Sequence, residues 1–330
     1  MFLKIGGFLQ VNLYFLPVTW LRRRLEVWCV LGFFSFFRLF PYPASARFCG
    51  KALGRLAWVL SPRVRRRSLS NLQIAFPDYS SDEVRALART AYDFMGRVMY
   101  EFIWSGRVSR EELVAKIEFE PTGLAAFERA YAAGKGVVFV TGHLGNWEIL
   151  SHALVLHGFK LNAYAAVLAN DYAHRYVEKL RTRFGAKFHA PRMITSPDLL
   201  RALKRGEVAG FVADQNAGGR GLFVRYMGQL ASTHKGPASY AAISRVPIFF
   251  GVCLAKPDGT FRVELIDLGA GPKKDLPSIL RFTARWVGLL EKYVRKYPEQ
   301  YFWMHHRWKS RPGPDSAVSE SIDSELEPYA

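Results

Sequence analysis

The feature that most constrains this chain is an alternation of strand-like and helix-like segments beyond residue 80. Short apolar runs rich in β-branched residues are separated by longer stretches with helical spacing of apolar residues. The predicted strands are residues 137–141, 161–167, 208–213, 222–226, 248–254 and 262–268. The predicted helices are residues 81–106, 122–134, 146–158, 171–184, 196–205, 234–245 and 276–297. This alternation predicts an α/β fold in which helices flank a mostly parallel central sheet.

The N-terminal part of the chain combines apolar runs with positive charge. Residues 1–67 contain twelve basic residues and one acid, Glu26, around two apolar runs at 5–20 and 27–40. Each run is shorter than the roughly 20 residues that span a bilayer, so we predict that residues 1–62 form a segment lying in the membrane interface. One alternative is a single tilted membrane span. Another is a signal peptide cleaved near Ala44-Ser45-Ala46, but the three consecutive arginines disfavour a signal peptide.

Motif content and cysteine spacing argue against nucleic-acid binding, a cysteine metal site and a disulfide framework. The formal net charge is +18, but no zinc-finger spacing or ribonucleoprotein motif accompanies it, so we predict no nucleic-acid partner. Cys29, Cys49 and Cys253 are too widely separated for a metal site or a disulfide framework. We predict a folded domain at 63–311 and a disordered tail at 312–330, where Ser, Glu, Asp and Pro are frequent.

A titratable histidine follows the first strand of the predicted α/β region. His143 lies between Gly142 and Gly145, and Asn146 and Glu148 follow at the start of a predicted helix. The glycines permit the bend that would bring the carboxylate to the imidazole, because five residues on a straight helix or strand point the two side chains apart. One interpretation is a general base, His143, oriented by Glu148. The other is a structural histidine beside a carboxylate that stabilises the helix N-terminus.

Polar residues also follow another predicted strand. Asp214 and Gln215 come directly after the apolar run 208–213. Because the chemistry of α/β sheets gathers beyond the carboxyl ends of their strands, these residues and His143 are expected to share one site.

Four sequence blocks together resemble one family. The segment Gly142-His-Leu-Gly-Asn-Trp-Glu148 is similar to the His-x4-Asp/Glu motif of glycerolipid-type acyltransferases. More narrowly, the chain resembles the late acyltransferases of lipid A biosynthesis, the lauroyl and myristoyl transferases of Gram-negative inner membranes. The other blocks that carry this likeness are residues 65–77, the segments 213–216 and 227–238, and residues 298–309. The chain departs from that family at Tyr226-Met227-Gly228, where the family commonly has Phe-Phe-Gly. This difference bears on the length of the acyl chain that is transferred and on the identity of the acceptor.

The resemblance implies an acyltransferase on the cytoplasmic face of the bacterial inner membrane. The acyl donor would be a thioester, either acyl carrier protein or acyl-CoA, and the acceptor would be a hydroxyl of a lipid A precursor. Neither a cofactor nor a metal would be required. His143 would act as general base and Glu148 would orient it. The expected substrate-binding residues are Gly142, Gly145, Asn146, Arg175, Arg181, Asp214 and Gln215.

Two alternatives to this function stay open at the level of sequence. In the first, the protein is an acyltransferase whose acceptor is another glycolipid or phospholipid, such as a phosphatidylinositol mannoside or a lysophospholipid. In the second, the chain is a non-enzymatic protein that binds membrane surfaces. For Arg175, Arg181 and Arg183, a solvated helix face competes with phosphate binding.

Overall fold

The computed structural model describes residues 24, 25, 28, 32, 36, 41–165, 167–189, 196–314 and 316–319. Its centre is a seven-stranded sheet with the order β1-β9-β8-β2-β5-β3-β4. These strands are β1 (Ile117–Phe119), β2 (Val137–Thr141), β3 (Leu161–Tyr164), β4 (Lys187–His189), β5 (Val208–Val212), β8 (Pro247–Ala255) and β9 (Phe261–Ala270). All neighbours run parallel except β8 and β9. The predicted mostly parallel sheet is therefore confirmed.

Helices cover both faces of this sheet. They are α1 (Ala44–Leu60), α2 (Pro62–Ala75), α3 (Ser81–Ser105), α4 (Arg110–Val114), α5 (Pro121–Ala132), α6 (Trp147–Leu156), α7 (Asp171–Thr182), α8 (Pro197–Lys204), α9 (Gly236–Ser244) and α10 (Leu276–Lys296). Strand β2 is buried on both faces and reads as a continuous apolar run for that reason. Val138 packs in a cluster with Leu290 of α10, whereas Phe139 packs in a second cluster with Ile149 of α6.

The N-cap of the long helix α3 lies one residue earlier than the sequence pattern predicts. The pattern starts at Ser81 and predicts that this serine is the N-cap, but Ser80 occupies that position and Ser81 is the first residue of the helix. The Ser80 hydroxyl accepts the N–H of Glu83, and the Glu83 carboxylate accepts the N–H of Ser80. This reciprocal pair is a capping box, which explains why the helix starts where it does.

Much of the predicted membrane-associating segment lies outside the described residues. Within it, α1 packs along α3 through Gly50 and Gly54, which lie against the backbone at Asp93. Among the residues that the structure describes, no helix is both long enough and apolar enough to cross a bilayer.

A second, smaller sheet lies beside the first. It consists of β6 (Leu222–Tyr226), β7 (Gln229–Thr233) and β10 (Val318–Ser319), in the order β10-β6-β7. In β10, Val318 pairs with Phe223 and Ser319 pairs with Val224 of β6. Val318 and Ser319 belong to the tail that was predicted to be disordered, and they form a strand instead. The edge of β6 offers unpaired backbone groups that the tail satisfies. Residues 320–330 of the predicted tail lie outside the described residues.

Candidate active site

A short glycine-containing turn joins β2 to α6. Strand β2 ends at Thr141 and α6 begins at Trp147. Gly145 adopts a positive φ of 63°, and a Cβ atom at this position would lie 2.0 Å from the carbonyl oxygen of Cys253. Both the backbone conformation and the close approach require glycine here.

The turn is also held by the C-terminal segment. The N–H of Gly145 donates to the carbonyl of Gln300 at 3.0 Å, and the carbonyl of His143 accepts the N–H of Phe302 at 3.0 Å. Together with the contact to Cys253, these bonds fix the backbone on both sides of the histidine.

His143 and Asp214 form a hydrogen-bonded pair at the carboxyl edge of the sheet. Thr141 of β2 pairs with Val212 of β5, so the residues that follow these two strands are brought side by side. The backbone N–H of His143 donates to Asp214 Oδ2 at 2.9 Å. The imidazole Nδ1 lies 2.6 Å from Asp214 Oδ1. Nδ1 therefore carries the ring proton and donates it, which leaves the lone pair on Nε2.

The Asp214 carboxylate is buried and ionised. Only 2% of its side chain is exposed. Burial alone would raise its pKa, but the adjacent His143 imidazole and the hydrogen bonds from His143 outweigh burial and lower the pKa of Asp214 to about 2. Such a carboxylate stabilises the imidazolium that forms when Nε2 takes up a proton.

The His143 side chain remains partly exposed, and its second ring nitrogen, Nε2, lies near Gln215. The His143 side chain is 19% exposed, and Nε2 lies 3.5 Å from the side-chain nitrogen of Gln215. Sequence reasoning placed His143, Asp214 and Gln215 at one edge, and the structure brings all three together.

Two aromatic rings flank the imidazole. Trp147 meets His143 edge to face with ring centroids 4.8 Å apart, and Phe302 is tilted against it at 5.7 Å. These rings restrict the orientation of the histidine and keep water from one side of it. Sequence reasoning did not assign either ring to the site, because an aromatic next to a motif looks the same as a core aromatic.

Glu148 is engaged by an arginine of another helix. Arg181 of α7 donates from Nε to Glu148 Oε2 at 2.9 Å and from Nη2 to Oε1 at 2.5 Å. The two parallel bonds form a bidentate pair. Burial would raise the pKa of Glu148, but Arg181 outweighs it and holds that pKa below its usual value.

The structure therefore corrects the expected partner of His143. Glu148 was predicted to orient the imidazole, yet the hydrogen bond at Nδ1 is made with Asp214. Glu148 lies in the first turn of α6, where its carboxylate points to α7 and binds Arg181. The bend at Gly145 does not bring it to the ring nitrogen.

The other predicted binding residues occupy different surroundings. Asn146 is buried, and both ends of its side-chain amide are already hydrogen-bonded. Arg175 is exposed on α7, where its guanidinium stacks on Tyr172 of the same helix. Arg183 donates to the backbone carbonyl of Ser105. Among the three arginines considered from the sequence, the structure places Arg181 beside Glu148.

Residues from the basic block 65–77 hold the C-terminal block against the site. The buried side chain of Asn71 donates to the carbonyls of Trp303 at 2.7 Å and His305 at 2.6 Å. Arg67 donates to the carbonyl of Met304 at 3.1 Å. These contacts explain how two blocks far apart in sequence contribute to one site.

The central and C-terminal blocks also meet. Arg307 is 3% exposed and donates to the carbonyl of Ser232 at 2.5 Å and to the hydroxyl of Thr233 at 2.6 Å. His305 accepts the backbone N–H of Asn216 at 2.9 Å through Nε2. Both side chains thus connect backbone segments near the His143–Asp214 pair. In the part of the chain that the structure describes, no group of three or more His, Cys, Asp or Glu residues could hold a metal ion.

Similarity to known proteins extends over most of the chain. Residues 15–310 match the family model described as bacterial lipid A biosynthesis acyltransferase. The chain is 26% identical to the lipid A biosynthesis lauroyltransferase of Escherichia coli strain K12 over 307 residues, covering 90% of this chain and 94% of that protein. It is 24% identical to the palmitoleoyltransferase of the same strain over 311 residues, covering 92% and 95%. It is 25% identical to the corresponding myristoyltransferase over 271 residues, covering 79% and 80%.

Proposed function

The chain belongs to the bacterial lipid A biosynthesis acyltransferase family, and on that premise we propose that it moves a fatty acyl chain from a thioester to a hydroxyl of a lipid A precursor. The donor is acyl carrier protein or acyl-CoA. His143 is the general base, and Asp214 orients it. The observation that supports these roles most strongly is the 2.6 Å contact between His143 Nδ1 and Asp214 Oδ1, which leaves Nε2 as the basic nitrogen.

The reaction follows from the chemistry of this pair. As the acceptor hydroxyl attacks the thioester carbonyl, a carbon–oxygen bond forms and the hydroxyl proton passes to His143 Nε2. Asp214 stabilises the resulting imidazolium. The tetrahedral intermediate then collapses, the carbon–sulfur bond breaks, and the thiolate leaves with the proton that the imidazolium returns. No covalent enzyme intermediate is required, because the thioester is already activated.

Two further groups have proposed roles near the reacting atoms. The side-chain amide of Gln215, 3.5 Å from His143 Nε2, is within reach of the attacking oxygen or of the oxyanion. Arg181 keeps 23% of its side chain exposed, so the guanidinium donors that Glu148 does not use can contact an acceptor phosphate.

We also propose that the protein works at the cytoplasmic face of the bacterial inner membrane. Helix α1 has exposed apolar residues, including Phe48 and Val59, on the side that also carries Arg47, Lys51 and Arg55. Apolar side chains interleaved with cations suit a surface of anionic lipid. A lipid A precursor is itself anchored in a membrane, so this contact would bring the site to its acceptor.

The test is acyl transfer in detergent micelles by the full chain. Labelled acyl-carrier-protein and acyl-CoA donors are offered against tetra-acylated lipid A precursor, a phosphatidylinositol mannoside and a lysophospholipid. The variant His143→Ala is compared with His157→Ala, because His157 also contacts a carboxylate, Glu128, at 2.8 Å but on the surface.

We expect transfer to the lipid A precursor, lost in His143→Ala by about 10²–10⁴-fold and retained in His157→Ala. Transfer only to another lipid would keep the mechanism and replace the acceptor. Folded protein without transfer to any acceptor would contradict the enzymatic proposal and favour a membrane-surface binding protein.

A further inference from the structure

A buried carboxylate on α3 lies behind the catalytic turn. Glu101 has no exposed surface. Its Oε1 accepts Arg97 Nε at 2.6 Å and the Tyr42 hydroxyl at 3.3 Å, and its Oε2 accepts Asn146 Nδ2 at 2.9 Å. The two oxygens therefore have different partners: Oε1 accepts from Arg97 and Tyr42, and Oε2 accepts from Asn146 in the turn.

Asn146 transmits this contact to α6. Its side chain is buried, with Nδ2 donating to Glu101 and Oδ1 accepting the N–H of Ile149 at 3.0 Å as the N-cap of the helix. Its backbone N–H donates to the carbonyl of Cys253 at 2.7 Å. The amide can cap α6 only in the orientation that points Nδ2 away from the helix. The Ile149 N–H, which donates to Oδ1, and Glu101 Oε2, which accepts from Nδ2, together select that orientation.

Asn146 lies between two residues of the proposed site. His143 lies three positions before it, and Glu148 lies two positions after it in the first turn of α6. Gly145 is fixed by its bond to Gln300 and its contact with Cys253. The orientation of the Asn146 amide thus depends on a partner outside the turn, Glu101.

We propose that Glu101 is a positioning residue for acyl transfer: by fixing the Asn146 amide it holds the start of α6 and so sets His143 relative to the Glu148–Arg181 pair. The activity part of this inference rests on the proposed function. Glu101 contacts no reacting atom and acts through Asn146 alone.

The substitution Glu101→Gln tests this with little change of shape. Arg97 Nε donates to Oε1 at 2.6 Å, so the single carbonyl oxygen of the introduced glutamine takes that place. The NH2 group of the glutamine then faces Asn146 Nδ2, and two donors oppose each other. Asn146 must flip, which turns its NH2 group towards the N–H of Ile149 and removes the cap from α6.

Exchanging both residues restores the match. In Glu101→Gln/Asn146→Asp, the NH2 group of the introduced glutamine donates to one oxygen of the introduced aspartate, and the other aspartate oxygen accepts the N–H of Ile149. The charge of the pair is unchanged, because one carboxylate is moved from position 101 to position 146. A merely structural role of Glu101 as a counter-ion for Arg97 would not be rescued by this exchange.

A matched control lies at the opposite edge of the sheet. Glu207 is also buried and also joins an asparagine and an arginine, accepting Asn162 Nδ2 at 2.9 Å and Arg205 Nη2 at 2.8 Å. It directly precedes β5, whereas His143 follows the parallel strand β2. Glu207→Gln disturbs the same kind of triad far from the turn.

The experiment measures kcat, KM and the melting temperature of the full chain in micelles, together with the ¹⁵N-histidine NMR signal of His143, assigned by its loss in His143→Ala. We expect Glu101→Gln to lower kcat by about 10²-fold, as for misplaced catalytic groups, with little change in KM and a shifted His143 signal. The double variant should recover most of kcat and the wild-type signal. Glu207→Gln should lower the melting temperature while kcat and the signal stay near wild type.

Loss of kcat in Glu101→Gln no greater than in Glu207→Gln, or a double variant as impaired as the single one, would overturn the proposal. If the wild type transfers no acyl chain, the proposed function fails, but the NMR signal still decides this inference. A His143 signal that is unchanged in Glu101→Gln would then refute the inference. A signal that shifts in Glu101→Gln and returns to its wild-type position in Glu101→Gln/Asn146→Asp would support it.

Discussion

At the scale of single residues, proximity along the chain differs from proximity in the fold. Glu148 is five positions from His143, yet it binds Arg181 on α7. Asp214 is 71 positions away, yet it holds the imidazole because it follows the neighbouring strand. Predicted strands were sufficient to place His143 and Asp214 at one edge. They were not sufficient to choose the carboxylate, because the direction of a side chain beyond a turn depends on tertiary partners.

The ionisation of Asp214 should be visible in the stability of the protein. Its folded-state pKa of about 2 is below the unfolded value of about 3.9, so ionised Asp214 stabilises the fold above pH 4 and this stabilisation is lost as the pH falls towards 2. We expect the difference in free energy of unfolding between wild type and Asp214→Asn to shrink as the pH falls from 4 to 3. Urea denaturation between pH 7 and pH 3 measures it. A difference that is constant over this range would contradict the assigned pKa.

At the scale of elements, the sequence predicted the segments whose patterns are strong and local. Strands β2 and β6 have the predicted bounds because each is a short, mainly apolar run bounded by turn residues. Strand β4 was missed because three residues at a sheet edge show no alternation. Helices α1 and α2 were not predicted as helices, because their interleaved basic residues obscure the helical spacing of the apolar residues that pack inward.

The contact between α1 and α3 gives a prediction of unusual sign. Replacing glycine by alanine within a helix normally stabilises it by about 1 kcal/mol. A Cβ at Gly54, however, would lie 2.6 Å from the backbone of Asp93 in α3. We expect Gly54→Ala to lower the free energy of unfolding by about 1–3 kcal/mol, as overpacking does. Gly236→Ala is the control, because nothing lies within 4 Å of a Cβ at the start of α9. Equal melting temperatures for the two variants would argue against close helix packing.

At the scale of the whole molecule, charge and apolar exposure are combined on one helix. The net charge of +18 is a property of the entire chain, but on α1 it is interleaved with exposed apolar side chains. The apolar runs and positive charge of the N-terminal part predicted contact with the membrane interface without specifying the surface that makes it. The structure adds α1 as the described helix that best fits this role.

Membrane binding should therefore be sensitive to a charge placed on α1. Val59 is 67% exposed, so we expect Val59→Glu to weaken sedimentation of the full chain with vesicles containing phosphatidylglycerol, without loss of folding. Val114→Glu introduces the same change on α4 at a site that is 46% exposed, and it should bind as the wild type does. Equal weakening in both variants would indicate a general charge effect instead of a membrane-facing helix.

The catalytic pair His143–Asp214 is tested by kcat for transfer to tetra-acylated lipid A precursor by Asp214→Asn. The asparagine preserves shape but can hold the imidazole in the other tautomer, so Nε2 loses its lone pair. We predict a fall in kcat of about 10²–10⁴-fold, the range of general-base catalysis. The control Asp198→Asn alters an exposed carboxylate paired with Arg201 and should keep wild-type kcat. Wild-type kcat in Asp214→Asn would contradict the assignment of His143 and Asp214 as the catalytic pair.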